Sequence, residues 1–481
     1  MRSTSGPEGP STEIRTAMRK VSGLLLATER RAITGLAGLY ATRMLGLFMV
    51  LPVLALYADD LKGATPLLVG LALGIYGLTQ ALLQIPFGLL SDRLGRKPVI
   101  AVGLVLFLLG SLVAAGADSI GGVILGRCLQ GSGAVAAAIM ALLADQTREQ
   151  VRTAAMATIG LSIGVAFAVA MVLGPWLAAG FGLAGVFWFT AALAALGLAV
   201  LWKLVPPAPR RVRHRDVGMD RGQLRGILAR GDLWRMDISI FALHLVLMAI
   251  FVAVPFRLVE AGIAVERHGL TYLGIMLLAF VAMVPLVIIA EKRRRMKAMC
   301  LSAITAITLS LFGLAGLGEG FAALFGWLLL FFIAFNLLEA TLPSMLSKLA
   351  PAGAKGTAMG IYSTSQFLGA FLGGVLGGAL VQQWGLSAVF IGCGLVGLAW
   401  LVVMAGMAPP RHLTSEVVAL DDNEQDDALD TLMARFAEVA GVEDVLVVPE
   451  ERLAYLKVDR QRLDEQALAR LTGSGNHHSG A

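Results

Sequence analysis

Charge is scarce in this chain of 481 residues. Only 15% are Asp, Glu, Lys or Arg, against about a quarter in a soluble domain. With 57% apolar residues, the chain reads as a protein whose solvent is lipid. Cysteine is sparser still. Cys128, Cys300 and Cys393 lie in or beside apolar runs without paired spacing, which argues against a disulfide framework or a cysteine metal site. The sequence has no Walker loop, metal-ligand cluster or nucleophile constellation. ATP-driven transport, enzymatic catalysis, a bound cofactor and a metal are therefore not expected. A net charge of +6 could suit nucleic acid, but the basic residues sit in short gaps between apolar runs, the pattern of membrane orientation.

Glycine is abundant, at 56 residues, as suits helices that pack closely in a bilayer. Crossing the hydrocarbon takes about 20 helical residues. Apolar stretches of that size fall at 34–57, 68–90, 98–116, 120–144, 154–180, 184–204, 236–258, 269–290, 298–316, 321–345, 356–381 and 386–407. They predict twelve spans, necessarily helical because lipid offers no partner to an open strand. Alternate gaps are basic: Arg93/Arg96/Lys97, Arg148/Arg152, an arginine-rich loop, Lys292–Arg295 with Lys297, and Lys348/Lys355. The opposite gaps are acidic, neutral or, between Arg257 and Arg267, mixed. The basic side marks the cytoplasm and places both termini there.

Residues 1–33 read as a cytoplasmic lead-in, because the apolar patch at Leu24–Leu26 is too short for a signal peptide. The six-helix halves are 34–204 and 236–410. The linker at 205–235 holds Pro206, Pro207, Pro209 and eight arginines, and can lie on anionic headgroups. After Pro410 the composition turns polar. Helices at Ala428–Ala440 and Leu463–Leu471 flank strands at Val445–Val448 and Leu453–Val458, with a turn at Glu450–Glu451. With a first strand near Val417–Leu420, residues 411–471 predict a small α+β, ferredoxin-like cytoplasmic domain. The tail at 472–481, with His477 and His478, reads as disordered rather than metal-binding.

Five groups carry chemistry inside this apolar frame. The first is the run Gly88-Leu-Leu-Ser-Asp92-Arg93-Leu-Gly95-Arg96-Lys97-Pro98 between spans 2 and 3; orientation explains its basic residues but not Asp92 or the glycines. In span 4, Arg127 and Gln130 share a helical face, either serving transport or bonding backbone carbonyls between helices. Span 5 carries Gly160, Gly164, Gly174 and Pro175, small or kinking residues suited to close packing. Titratable groups within spans are few: Arg43, Arg127, His244 and Glu339, with Asp237 near a helix end. Glu339 is the preferred proton carrier, because a carboxyl inside the membrane can bind and release a proton, and Asn336 lies on the same face. His244 can titrate or bridge helices. Finally, Tyr76, Gln80 and Gln84 on span 2 and Tyr362, Ser365 and Gln366 on span 11 form polar stripes. These, with Gln130 and Asn336, are the candidate substrate pocket or, alternatively, interhelical hydrogen bonders.

The Gly88–Lys97 run matches G-x-L-a-D-r-x-G-r-k, the signature loop of the major facilitator superfamily. Arg127-Cys-Leu-Gln130-Gly131-Ser-Gly133 looks like that family's R-x-x-Q-G-x-G. Span 5 resembles the antiporter signature ending GPxxGG, with Ala178 and Ala179 in place of the last glycines. Arg43–Val53, Gly74–Ala81 and Ala144–Gln150 resemble the YajR-type bacterial transporters, which carry a ferredoxin-like domain after span 12. The likeness omits only the first 30 residues and the last ten, and a final strand after Leu471 is missing from it.

The resemblance implies two halves rocking about a midplane site, with Gly88, Asp92, Arg93, Gly95, Arg96, Lys97 and Asp145 as a latch for the outward-open state. In that latch Gly88 would approach span 11, Asp92 would face the N-terminus of span 11 near Lys355–Gly356, and Arg96 would pair with Asp145. The resemblance also implies proton coupling through Glu339, Arg127, His244 and Arg43, and helix packing at Gly164, Gly174 and Pro175. The expected protein is a monomeric drug:proton antiporter of a bacterial inner membrane, meeting a small-molecule substrate, protons and lipid. A solute:proton symporter, or a sensor signalling through its C-terminal domain, are the alternatives.

Overall fold

The computed structural model describes residues 25–207, 230–293, 295–316, 320–351, 355–408, 414–419, 429–448, 453–459 and 462–471. The lead-in before Leu25, most of the 205–235 linker, Asp421–Asp427, the Glu450–Glu451 turn and the 472–481 tail lie outside the described residues.

Backbone amides in lipid must be bonded within their own segment, and the described chain is accordingly mostly helix. In order these are α1 (Ala27–Phe48), α2 (Leu54–Tyr57), α3 (Pro66–Leu94), α4 (Arg96–Ala115), α5 (Ile120–Ser132), α6 (Ala136–Asp145) and α7 (Glu149–Lys203). They continue as α8 (Gly231–Glu260), α9 (His268–Lys292), α10 (Met296–Gly316), α11 (Phe321–Leu349), α12 (Lys355–Trp384) and α13 (Leu386–Ala405). Ten stretches among the described residues are long and apolar enough to cross a membrane. One of them contains Gly182, whose φ of 66° and ψ of −174° divide α7 into the fifth and sixth spans. The span built on α1 falls outside the ten, since that helix carries Glu29, Arg30, Arg31 and Arg43. With α7 divided and α1 included, the described residues hold twelve spans.

Two spans depart from simple rods. The helix of the first span starts at Ala27, ahead of the apolar stretch that begins at 34, because the Glu29 carboxylate accepts the Leu26 amide at 2.9 Å and caps the helix. It pauses between Phe48 and Leu54, around Pro52, before the single turn of α2. The fourth span is broken between α5 and α6 at Gly133–Val135.

The helices divide between two compact units. One comprises Met1–Ala64, Leu82–His214 and Val265–Leu273, the other Thr65–Ala81, Arg215–Ala264 and Gly274–Ala481. The second unit includes the C-terminal α+β segment: β1 (Thr414–Ala419), α14 (Leu429–Ala437), β2 (Val442–Val448), β3 (Leu453–Val458) and α15 (Glu465–Leu471). The sheet is antiparallel in the order β1-β3-β2, with Thr414 and Val442 both opposite Val458 and an irregularity between Val442 and Asp444. Leu432 and Phe436 of α14 and Leu468 of α15 pack with Ala454, Leu456 and Val458 as its core.

Candidate functional site

In the first unit, the sharp connection from α3 to α4 needs a residue with positive φ. Gly95 supplies it at 101°. That turn brings Arg96 back over α3, where it pairs with Asp92, donates to Ser91 Oγ at 2.8 Å and reaches Asp145 Oδ2 at 3.2 Å. Asp145 ends α6, so one guanidinium ties spans 2, 3 and 4. Lys97 donates to the Val205 carbonyl at 2.5 Å and lies 5.9 Å from the Trp202 ring, and Gln146 donates to the Pro206 carbonyl at 2.8 Å. Arg93 is exposed. Gly88 makes no close backbone approach of its own: a Cβ there would meet Ala137 Cβ at an ordinary 3.7 Å.

Deeper in the same unit lies a second polar cluster. The break at Gly133–Val135 takes the Gly133 carbonyl out of the helical ladder, where it accepts the Val135 amide at 2.9 Å. It accepts Arg43 Nη2 at 2.9 Å, with the Arg43 guanidinium 5.8 Å from the Phe107 ring centre. Arg127 donates to Gln130 Oε1 at 3.0 Å, Gln130 donates to Ser111 Oγ at 2.8 Å, and Ser111 donates to the Phe107 carbonyl at 2.7 Å. All four side chains are buried. Of the packing residues, Gly174 lies against the Met49 carbonyl, at the pause in the first span. Pro175 follows it inside α7, and Gly164 is half-buried.

The second unit holds the acid-bearing cluster. Gln366 of α12 and His244 of α8 are hydrogen-bonded through their nitrogens at 2.8 Å, and His244 Nε2 lies 3.9 Å from Glu339 Oε2 on α11. Two-fifths of the Glu339 side chain is exposed, yet Oε2 is buried with no hydrogen-bond partner among the described residues. Asn336 Nδ2, the Tyr362 hydroxyl and Asp237 Oδ1 share that state. Such unsatisfied buried groups are uncommon and mark places where protons, water or ligand groups complete the bonding.

The polar stripe on α3 is placed differently from an open pocket wall. Tyr76 and Gln80 in the second unit and Gln84 in the first are all buried. On the same helix, a Cβ on Gly74 or Gly77 would stand 2.5 Å from the carbonyls of Phe371 or Phe367, so α3 and α12 meet backbone to backbone there. Gly70 and Gly374 extend the contact, and Gln382 Oε1 accepts the Leu67 amide at 3.2 Å.

Sequence reasoning missed three partners. Ser111 sits in an apolar run and gave no signal. Glu29 lay in the assumed lead-in, and its partner Arg148 is 119 residues away. Asp237, which the sequence places near a helix end, has a buried oxygen in the same state as that of Glu339.

Comparison with known proteins agrees with this arrangement. Residues 36–374 and 340–424 match the Major Facilitator Superfamily, and 418–465 match the YajR YAM domain. The inner membrane transport protein YajR of Escherichia coli strain K12 is 48% identical over 431 residues, 90% of this chain and 94% of that one. Multidrug resistance protein MdtH of Aeromonas hydrophila is 28% identical, over 75% of this chain and 88% of its own. Among solved structures, a D-xylose-proton symporter superposes with a TM-score of 0.63 at 15% identity, covering 79% of this chain and 98% of that one, a likeness of fold alone. This chain, with its inward-pairing loop charges, buried arginines and polar C-terminal segment, belongs to the major facilitator superfamily of membrane transporters and ends in a YajR YAM domain.

Proposed function

We propose that this transporter is a proton-driven exporter of a small, drug-like molecule, working by alternating access as a monomer in a bacterial inner membrane with both termini in the cytoplasm. The observation that carries the reading is the Glu339–His244–Gln366 array. It sets a carboxylate with one buried, unbonded oxygen inside a span, 3.9 Å from an imidazole. A lone acid in lipid is expensive and marks function. Protonation neutralises Glu339 and lets it rest in the apolar wall. Deprotonation restores a charge that His244, Tyr362 or a substrate group can meet. Exchange of proton for substrate at this point couples their opposite movements. Asn336 supplies an amide to the same face, and Asp237 stands where a proton can pass toward the end of α8. The arginines Arg43 and Arg127 act from the other half by holding their spans together around the broken fourth helix. The Asp92–Arg96–Asp145 cluster serves as the latch that is made and broken each cycle.

The test is reconstitution in proteoliposomes with an internal pH dye, with ethidium and a panel of drug-like molecules as probes. Glu339→Gln is expected to abolish probe-induced proton movement while leaving probe counterflow in place. Proton movement that persists in Glu339→Gln removes the assignment, and probe uptake with protons rather than against them reverses the direction.

A further inference from the structure

The C-terminal sheet has one face too many buried. Side chains alternate along β3, so Ala454, Leu456 and Val458 point to one face and Tyr455 and Lys457 to the other. The helices α14 and α15 cover the first. A sheet clothed by helices on one side normally leaves the other to water. Yet Tyr455 and Lys457 are only 6% and 4% exposed. The Lys457 ammonium donates at 2.9 Å to the carbonyl of Ser347, in the last turn of α11. That carbonyl is one of the last four in the helix, which have no partner within it, and the negative end of the helix dipole favours a cation there. Asp444 stands opposite Lys457 in the strand register. The same helix turn is gripped once more, by Lys348 against Glu291 at 3.5 Å.

A joint lies four residues below the grip. Pro343 sits inside α11 and has no N–H to offer the carbonyl of Glu339, four residues before it. The segment after Pro343 can therefore swing relative to the turn that carries Glu339.

We propose that the C-terminal domain docks the helix-free face of its sheet on the end of α11 through Lys457, and so restrains the helix that carries Glu339. The docking stands on the sheet and Ser347 alone. The effect on transport rests on Glu339 as proton carrier, and the two are read separately. Nitroxide labels at Glu443 and Arg293, in full-length protein with Cys128, Cys300 and Cys393 replaced by alanine, report docking by electron–electron distance. The unaltered Lys457 protein should give one narrow distance. Lys457→Met keeps the aliphatic stem and loses the ammonium. The docking equilibrium constant should then fall about tenfold to a hundredfold, the weight of one charge-assisted hydrogen bond, and the distribution should broaden. Lys457→Arg should keep it narrow, and amide exchange of β2 and β3 should show an intact sheet in both variants. A broad distribution with Lys457 in place, or a narrow one in Lys457→Met, overturns the docking. If docking is lost in Lys457→Met and the rate of proton movement is unchanged, the restraint on α11 is overturned while the Glu339 reading stands on its own test.

Discussion

Arg148→Ala removes the side chain that organises the start of the first span, and the effect can be worked out from the site. Glu29 is buried and takes four hydrogen bonds: Arg148 N and Nε reach Oε1 at 3.0 and 2.9 Å, while Arg148 Nη2 and Leu26 N reach Oε2 at 3.0 and 2.9 Å. The Arg148 side chain first, then the amides, hold its pKa at about 2 instead of 4.5 against the opposing pull of burial. That gap is worth about 3.4 kcal/mol at ~1.36 kcal/mol per pH unit, as a ceiling. Arg148 is half exposed, so solvent screens the pair and the loss should fall well below that ceiling. The sign follows from a lowered carboxyl pKa: the stabilisation is whole above about 4.5 and disappears as pH falls toward about 2. Thermal unfolding of detergent-solubilised protein at pH 7 should show a fall in apparent melting temperature of about 1–3 °C, at about 1 °C per kcal/mol for 481 residues. Across pH 5 to 3 the unaltered protein should lose stability more steeply than Arg148→Ala, and Glu29→Gln should flatten the same window. An unchanged melting temperature at pH 7, or parallel pH curves for all three proteins, would refute the reasoning.

Two further outcomes are expected. Asp92→Asn should leave expression and melting within about 1 kcal/mol of the unaltered protein, since Asp92 is partly exposed, but should slow transport by breaking the Arg96 cluster; equal turnover in proteoliposomes removes the latch. Gly74→Leu should force apart α3 and α12, where even a Cβ would stand 2.5 Å from the Phe371 carbonyl. It should lower stability by about 1–3 kcal/mol, and normal melting with normal transport would contradict the close contact.

Much of the membrane scaffold could be read from the chain because lipid imposes a simple rule. Twenty apolar residues bounded by charge leave helix as the only option, and the bounds of β3, Leu453–Val458, came straight from strand alternation. The pairing of Arg96 with Asp145 came from the resemblance of the Gly88–Lys97 run to a known signature loop, and the two side chains meet at 3.2 Å. The break in the fourth span could not, since a hydropathy window registers side chains and Gly133–Val135 differs in backbone angles. The glycines of α3 and α12 were visible as residues, but which of them face one another is decided by helix rotation and long-range packing. Glu29 had every local appearance of a polar leader, and its role depends on an arginine that local reading could not bring near. The burial of Tyr76 and Gln80 was hidden for the same reason: a polar stripe looks alike whether it meets a cavity or another helix.

The bond between Arg43 and the Gly133 carbonyl also bears on how the chain is made. The first span leaves the ribosome carrying an arginine that costs roughly 2.5–3.5 kcal/mol to place in a membrane, and its acceptor is synthesised 90 residues later. Until then that bond cannot form. The broken fourth span completes it, because a carbonyl within a regular helix would have less to offer an incoming guanidinium. What looks like a defect in one helix is thus the receiving point for another, and the order of synthesis makes the earlier segment wait for the later one.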